Sequence, residues 1–252
     1  MERGRTFDAA AAAYDAHRSG YASELFSDLI AMAKLKPKNR VLEVGCGSGQ
    51  ATAGFVAEDL DVTGVDPGAS LIVLARSKFA GSEWVRFEMA SFEEWERGGR
   101  QYELVAAAQS WHWVRADTSF AKAADALSRR GFIAIFGHTP TWSATLIDGL
   151  GPAYARWAPE LWGPPPEAWY LPSGPIPDLI GASRRFGRVE HRDYKWRRSY
   201  TAASFAAYLG TRSDHLLLLE ARRAELLSKV QSDLPAVVEA DWVTNLYVAP
   251  VA

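Results

Sequence analysis

Apolar and polar positions fall into short alternating blocks along this chain. Val41, Leu42 and Val44 form a compact apolar run with β-branched residues, as expected of a strand covered on both faces. Glycine then occupies every second position, Gly45, Gly47 and Gly49, and Gln50 to Glu58 reads as a helix. The rhythm repeats downstream. Asp61 to Asp66 reads as a strand, Pro67-Gly68 as a turn, and Ala69 to Lys78 as a helix with Leu71, Leu74 and Ala75 on one face. Val85 to Met89, Tyr102 to Ala108 and Gly131 to His138 read as three further strands. Ser91 to Trp95 is a loop or short helix, and Thr118 to Leu127 a helix. This alternation predicts an α/β fold with a doubly wound, mostly parallel sheet.

The flanks follow other patterns. Phe7 to Ala13 is helix-prone, Tyr14 to Tyr21 interrupts it, and Ala22 to Lys36 resumes helical spacing through Leu25, Leu29 and Met32 until Pro37. After His138, residues Thr139 to Pro177 hold Trp142, Trp157, Trp162 and Trp169 among prolines, which remove ladder donors; this segment is expected to be a cap and not more sheet. Val189 to Tyr200 and Trp242 to Val248 read as strands. Thr201 to Thr211 and Glu220 to Ser232 read as helices, with Thr201 as an N-cap and Leu216 to Leu219 as buried packing. The expected organisation is a core of residues 1–138, a Trp/Pro-rich cap of 139–188, and residues 189–252 completing sheet and cap.

Composition narrows the partners. The chain has 252 residues, with 28 basic and 30 acidic side chains and a formal charge of -2, so no global charge excess argues for nucleic acid. The single cysteine, Cys46, excludes an internal disulfide and argues against a cysteine-built metal site; no metal is expected. Met1 to Arg5 leads into an alanine-rich stretch unlike a signal segment, and no apolar run approaches the ~20 residues of a membrane span. The expected setting is cytoplasmic.

The chemistry concentrates around the glycine turn. Such a turn at a helix N-terminus offers free N–H groups to a polar or anionic ligand. Its spacing is G-x-G-x-G, not the G-x-G-x-x-G of a pyrophosphate cradle. Asp66 ends the next strand, where a carboxylate accepts both hydroxyls of a ribose. His112 and His138 follow the fourth and end the fifth strand, at the ligand-binding edge of such a sheet, and are the candidate general bases; each could equally be a structural histidine. Trp111 and Trp113 alternate, so one is expected to wall a pocket and the other to lie in the core. Trp142 belongs either to an aromatic acceptor pocket or to a second small core. The arginines from Arg184 to Arg198 read as a solvated strand face before a receiver for an acidic substrate.

Val41-Leu42-Glu43-Val44-Gly45-Cys46-Gly47-Ser48-Gly49-Gln50, Gly64-Val65-Asp66-Pro67 and Ala107-Ala108-Gln109-Ser110-Trp111-His112-Trp113-Val114 together resemble the class I S-adenosylmethionine-dependent methyltransferases. The C-terminal blocks from Ser199 to His215 and Asn245 to Ala249 resemble the type 11 subgroup with trans-aconitate and UbiE-like enzymes. The resemblance implies a Rossmann-like sheet of seven strands with an antiparallel last strand, and S-adenosyl-L-methionine as cofactor. It implies that Gly45 and Gly47 approach the methionine part, with Glu43, Cys46 and Gln50 also at the cofactor, that Asp66 takes the ribose, and that Pro67, Ser91 and Phe92 line the adenine. Where many members carry an acid, this chain has Ala90-Ser91. Gln109 and Ser110 would flank the sulfonium, and Tyr14, Arg18 and Tyr21 would cover the cofactor, Arg18 pairing with its carboxylate. Tyr21, Trp111, Trp113 and Trp142 are candidate acceptor contacts. The expected activity is methylation of a small molecule, at a carboxylate or hydroxyl. A cofactor-binding module without turnover and a nicotinamide dehydrogenase remain as alternatives.

Overall fold

The computed structural model describes residues 10–115, 118–162 and 166–252. Its elements are α1 (Ala11–His17), α2 (Ser23–Ala33), β1 (Arg40–Val44), α3 (Gln50–Ala57), β2 (Asp61–Asp66), α4 (Ala69–Lys78), β3 (Val85–Met89), β4 (Tyr102–Ala108), α5 (Ser119–Ala126) and β5 (Leu127–Pro140). They continue as α6 (Ala144–Trp157), α7 (Ile176–Ala182), β6 (Glu190–Thr201), α8 (Ala202–Gly210), α9 (Ser213–Leu216), α10 (Glu220–Asp233) and β7 (Val237–Pro250). Seven strands form one sheet in the order β3-β2-β1-β4-β5-β7-β6. The first five pair in parallel, and β7 runs antiparallel between β5 and β6. The order reverses between β1 and β4, which opens a crevice beyond their carboxyl ends.

Side-chain alternation distributes the core over both faces. Leu42, Val44, Val105, Ile133 and Ile135 pack with Trp111, Phe120 and Tyr170 on one side. Val41, Val62, Leu104 and Phe136 pack with Leu25, Phe26, Leu29 and Phe55 on the other. A third cluster joins α6, α8 and α10 to the far ends of β6 and β7, around Phe205, Leu209, Leu226 and Trp242. Trp196 and Trp242 stack across those two strands, with ring centroids 5.4 Å apart.

Several element boundaries depart from the sequence reading. Tyr14 and Asp15 lie inside α1, whereas helix-prone Phe7 lies outside the described residues. Strands β5 and β7 are 14 residues each, longer than their apolar runs: they pair with each other from Phe132–Pro250 to Pro140–Trp242, the start of β7 pairs with the end of β6, and Leu127 pairs with Tyr102 of β4. Trp142 meets Phe205 and Trp242 at 5.3 and 5.8 Å, so it belongs to the third core and not to an acceptor pocket. Leu217 and Leu219 are 56% and 79% exposed, not buried, because α9 is a single turn whose end projects outward. Thr201 caps α8, accepting the Ser204 N–H at 3.1 Å. Arg192 and Arg197 of the basic strand pair with Asp28 and Asp241 at the surface.

Glu43 is an acid inside this core. It is 1% exposed, and its Oε2 accepts the Thr52 hydroxyl at 2.5 Å. Burial pushes its pKa up to about 8; the Thr52 hydrogen bond opposes the rise and the Asp66 charge adds to it. Below that pH Glu43 is neutral, which removes the cost of an unpaired buried charge.

Two stability predictions follow from this packing. A methyl group at Gly54 would meet the Phe26 ring at 2.0 Å. Overpacking costs about 1–3 kcal/mol, and the helix-propensity gain over glycine returns at most about 1. Gly54→Ala is therefore expected to lower stability by roughly 1–2 kcal/mol in denaturant titration, with an unchanged m-value. For Glu43, the folded pKa of about 8 stands above the ordinary 4.5. Its contribution to stability is full below the lower value and is lost as pH rises through the upper one. Glu43→Gln does not titrate, so its Tm is expected to gain on the native protein's steadily between pH 5 and 8; a constant difference would contradict the assignment.

Candidate active site

The turn after β1 needs three left-handed residues, and glycine supplies each: φ is +67° at Gly45, +56° at Gly47 and +90° at Gly49. A Cβ on Gly45 would meet that of Ser110 at 2.4 Å, so the turns after β1 and β4 pack directly together. The N–H groups of Gly45 and Cys46 both donate to the Val65 carbonyl, at 2.7 and 3.2 Å. Asp66 closes the arrangement. Its Oδ2 accepts the Gly47 N–H at 3.0 Å and its Oδ1 the Gly68 N–H at 2.8 Å. One carboxylate thus holds the turns after β1 and β2 in register, and it is 8% exposed.

Around this cradle lies a cavity of about 850 Å³. It brings together Tyr14, Arg18, Gly45, Gly47, Asp66, Pro67, Ser91, Phe92, Gln109, Ser110, His112 and Trp113. A small adjoining space of about 40 Å³ touches Tyr21, Glu43, Cys46, Gln50 and His138. A third, of about 460 Å³, shares His112, Trp113 and Ser213 with the first and extends to Trp169, Leu217 and Leu218. Trp111 borders none of them. It is 2% exposed and packs on Phe120 and Phe92, so of the two tryptophans Trp113 is the one at the cavity.

The N-terminal helix covers the turn through polar contacts. Asp15 Oδ1 accepts from Ser48 at 2.8 Å and from Gln50 at 3.2 Å, and pairs with Lys78. Arg18 follows α1 and crosses the cavity edge. Its Nε and Nη2 donate to the Thr211 hydroxyl and carbonyl, each at 3.1 Å, and its guanidinium lies 5.2 and 5.3 Å from the Tyr14 and Tyr208 ring centres. Burial raises the pKa of both tyrosines, so their hydroxyls stay neutral.

The two histidines are differently employed. His138 Nδ1 is 2.7 Å from Thr244 Oγ1 and its Nε2 is 3.2 Å from the Gly20 carbonyl. Trp196 donates to the same Thr244 oxygen at 2.9 Å. The consistent assignment runs Trp196 N–H to Thr244, Thr244 O–H to Nδ1, and Nε2–H to Gly20. Both ring nitrogens are committed and burial lowers the pKa to about 3, so His138 is a strut and not a general base. Gln109 braces it, exchanging hydrogen bonds with the His138 backbone at 2.7 and 2.9 Å from an unusual φ of +60°. The Gln109 amide is therefore occupied, although its residue lines the cavity. His112 does face the cavity. Burial lowers its pKa to about 4, with the Arg18 charge adding to the effect, and Nδ1 lies 3.0 Å from the Tyr170 hydroxyl. Nδ1 is thus engaged by Tyr170, and the ring is held neutral.

Sequence reasoning missed Glu93, Glu94, Arg115, Glu167 and Ser213 on the cavity wall. The first three follow β3 and β4 within a few residues of predicted positions. Glu167 and Ser213 come from distant segments that no local pattern connects to the turn.

Comparison with known proteins agrees with this geometry. The family described as a methyltransferase domain matches residues 41–131, from β1 into β5. An uncharacterised methyltransferase of Mycobacterium tuberculosis is 23% identical over 246 residues, 96% of this chain and 92% of that one. The fold is similar to that of a proposed type II methyltransferase from Anaeromyxobacter dehalogenans, at TM-score 0.67 and 20% identity over 92% of this chain and 97% of that one. It is also similar to Haemonchus contortus phosphoethanolamine N-methyltransferase 2 in complex with S-adenosyl-L-methionine, at TM-score 0.56 and 17% identity over 97% of this chain and 57% of that one. With the matched domain, the sheet order and the glycine turn beside Asp66 in place, the chain carries a methyltransferase domain over residues 41–131 and is an S-adenosylmethionine-dependent methyltransferase.

Proposed function

We propose that this enzyme methylates a small molecule at an atom that needs no base from the protein, a carboxylate oxygen before a hydroxyl. The observation that carries the reading is the state of the two histidines at the sheet edge. His138 has both nitrogens bonded, and burial holds His112 neutral and weakly basic with Nδ1 on the Tyr170 hydroxyl. A carboxylate is already ionised and asks for no proton acceptor, whereas a hydroxyl does. The bound cofactor supplies an electrophilic methyl group on a sulfonium.

The chain's own residues then position and desolvate. The donor set suits a nucleoside with an amino-acid tail. Asp66, which accepts one backbone N–H on each oxygen and borders the cavity, would take the ribose diol. Arg18, bonded to Thr211 and not to a carboxylate, offers its remaining N–H groups to the tail carboxylate. Phe92 and Pro67 would flank the base, and Glu93 or Glu94 stands near the expected adenine-side acid. Ser110 is turned inward, donating to the Val44 carbonyl, so it shapes the turn. His112 and Trp113 would face the acceptor. Among the described residues no helix is long and apolar enough to cross a membrane. A cytoplasmic setting and a small-molecule partner, not a nucleic acid, suit the single buried cysteine and the near-neutral charge.

Two measurements test this. Asp66→Ala removes a charged hydrogen-bond partner, an effect of about 1–3 kcal/mol, and is expected to weaken S-adenosylmethionine binding by that amount in calorimetry. Unchanged affinity would refute the ribose assignment. The imidazole NMR signals of His112 and His138 are expected to stay at neutral-ring positions from pH 8 down to pH 5; a midpoint near 6.5 for His112 would reinstate it as a base.

A further inference from the structure

The acceptor side of the cavity carries a charge imbalance. Arg212 lies behind the wall with its side chain 7% exposed, and its Nη2 is 3.3 Å from Glu167 Oε2 and 3.0 Å from Asp214 Oδ2. Those carboxylate side chains are 9% and 17% exposed. Burial works against the Arg212 charge, and Glu167 with Asp214 more than restores it. His215 adds no cation. Burial lowers its pKa, its Nδ1–H donates to Asp214 at 2.6 Å, and its Nε2 takes the Tyr154 hydroxyl at 2.6 Å. Two carboxylates thus share one guanidinium.

Their hydrogen bonding is unequal. Asp214 is saturated by Arg212, the His215 ring and the His215 N–H. Glu167 borders the large cavity, and its buried Oε2 has no hydrogen-bond partner among the described residues, its ion pair with Arg212 apart. Leaving a buried carboxylate short of hydrogen bonds is costly, and a donor arriving through the cavity would remove the cost. The approach is aromatic. Trp113 and His112 line both large cavities, and Trp169 lines the outer one. Aromatic rings lining a passage that also holds a carboxylate favour a cationic group. Arg18 is the neighbouring positive group, and the cofactor carboxylate is its proposed partner.

We propose that Glu167 anchors an alkylammonium group of the methyl acceptor in the aromatic passage past His112, Trp113 and Trp169. This rests on the methyltransferase reading above, but not on which acceptor atom is methylated.

The test uses the full-length enzyme saturated with S-adenosylhomocysteine and two isosteric probes, phenethylammonium and 2-phenylethanol, titrated by calorimetry. Phenethylammonium is expected to bind at least ten-fold more tightly than the alcohol. Glu167→Gln should bring the two within two-fold, and Glu167→Asp should keep the preference. Equal affinities in the native enzyme, no ammonium binding at millimolar concentration, or a preference that survives Glu167→Gln would each overturn the proposal. The native comparison decides it even if Glu167→Gln fails to fold. S-adenosylmethionine and S-adenosylhomocysteine titrations separate the remaining possibilities. Equal, unchanged affinities for both in Glu167→Gln support an acceptor role. A selective loss for the sulfonium-bearing cofactor would instead assign Glu167 to the cofactor and overturn the proposal. Failure of the native protein to bind either cofactor would sink the methyltransferase reading itself.

Discussion

The carboxylate of Asp66 is the interaction on which the site depends. It takes one N–H from the turn after β1 and one from the turn after β2, so two loops at the sheet's switch point are bound to a single charge. That geometry works only because Gly45, Gly47 and Gly49 occupy left-handed backbone and because Gly45 leaves room for Ser110. The same residue that shapes the cradle therefore presents the acid to it. The turns after β1 and β2 therefore fold as one unit, and a side chain at any of these glycines would disturb it.

A second theme is how much of the titratable inventory is spent on structure. His138 ties the β5 end to the Gly20 backbone and, through Thr244 and Trp196, to β7 and β6. His215 is wedged between Asp214 and Tyr154. Glu43 is kept neutral by burial. Once these are assigned, the cavity retains His112 as a neutral ring, Arg18 as a cation and Glu167 as an under-bonded carboxylate. That residue set is suited to holding polar groups in place and poorly suited to moving protons, which agrees with chemistry driven by an activated methyl donor.

The cap is where sequence reasoning lost resolution. Prolines and tryptophans marked residues 139–177 as different from the sheet, and they are. Yet composition could not say that Trp142 would turn into the third core, that Trp169 would reach the outer cavity, or that Trp162 would be 49% exposed. A tryptophan carries the same apolar signal in each place; what differs is which neighbour covers it. Helix α6 even tolerates Pro152 in its interior, against its local preference, because Leu146, Leu150, Ala153 and Tyr154 pack on α8 and α10.

By itself the sequence determined the parallel core, the glycine turn and the strand-end acid, because these depend on contacts within some 30 residues and on backbone freedoms that only glycine has. It also placed most helices, including the Thr201 cap, since periodicity and capping are local. The tertiary structure decided the rest. It extended β5 and β7 through pairing with each other and with β4 and β6, sent Trp111 inward and Trp113 to the cavity, and closed both nitrogens of His138 with partners from Gly20 and Thr244. It also set Glu167 and Ser213 beside a turn more than a hundred residues earlier in the chain. The cofactor cradle is read locally because one strand–turn–helix unit builds it. The acceptor side is assembled from segments distant in the chain, and only the fold makes them neighbours.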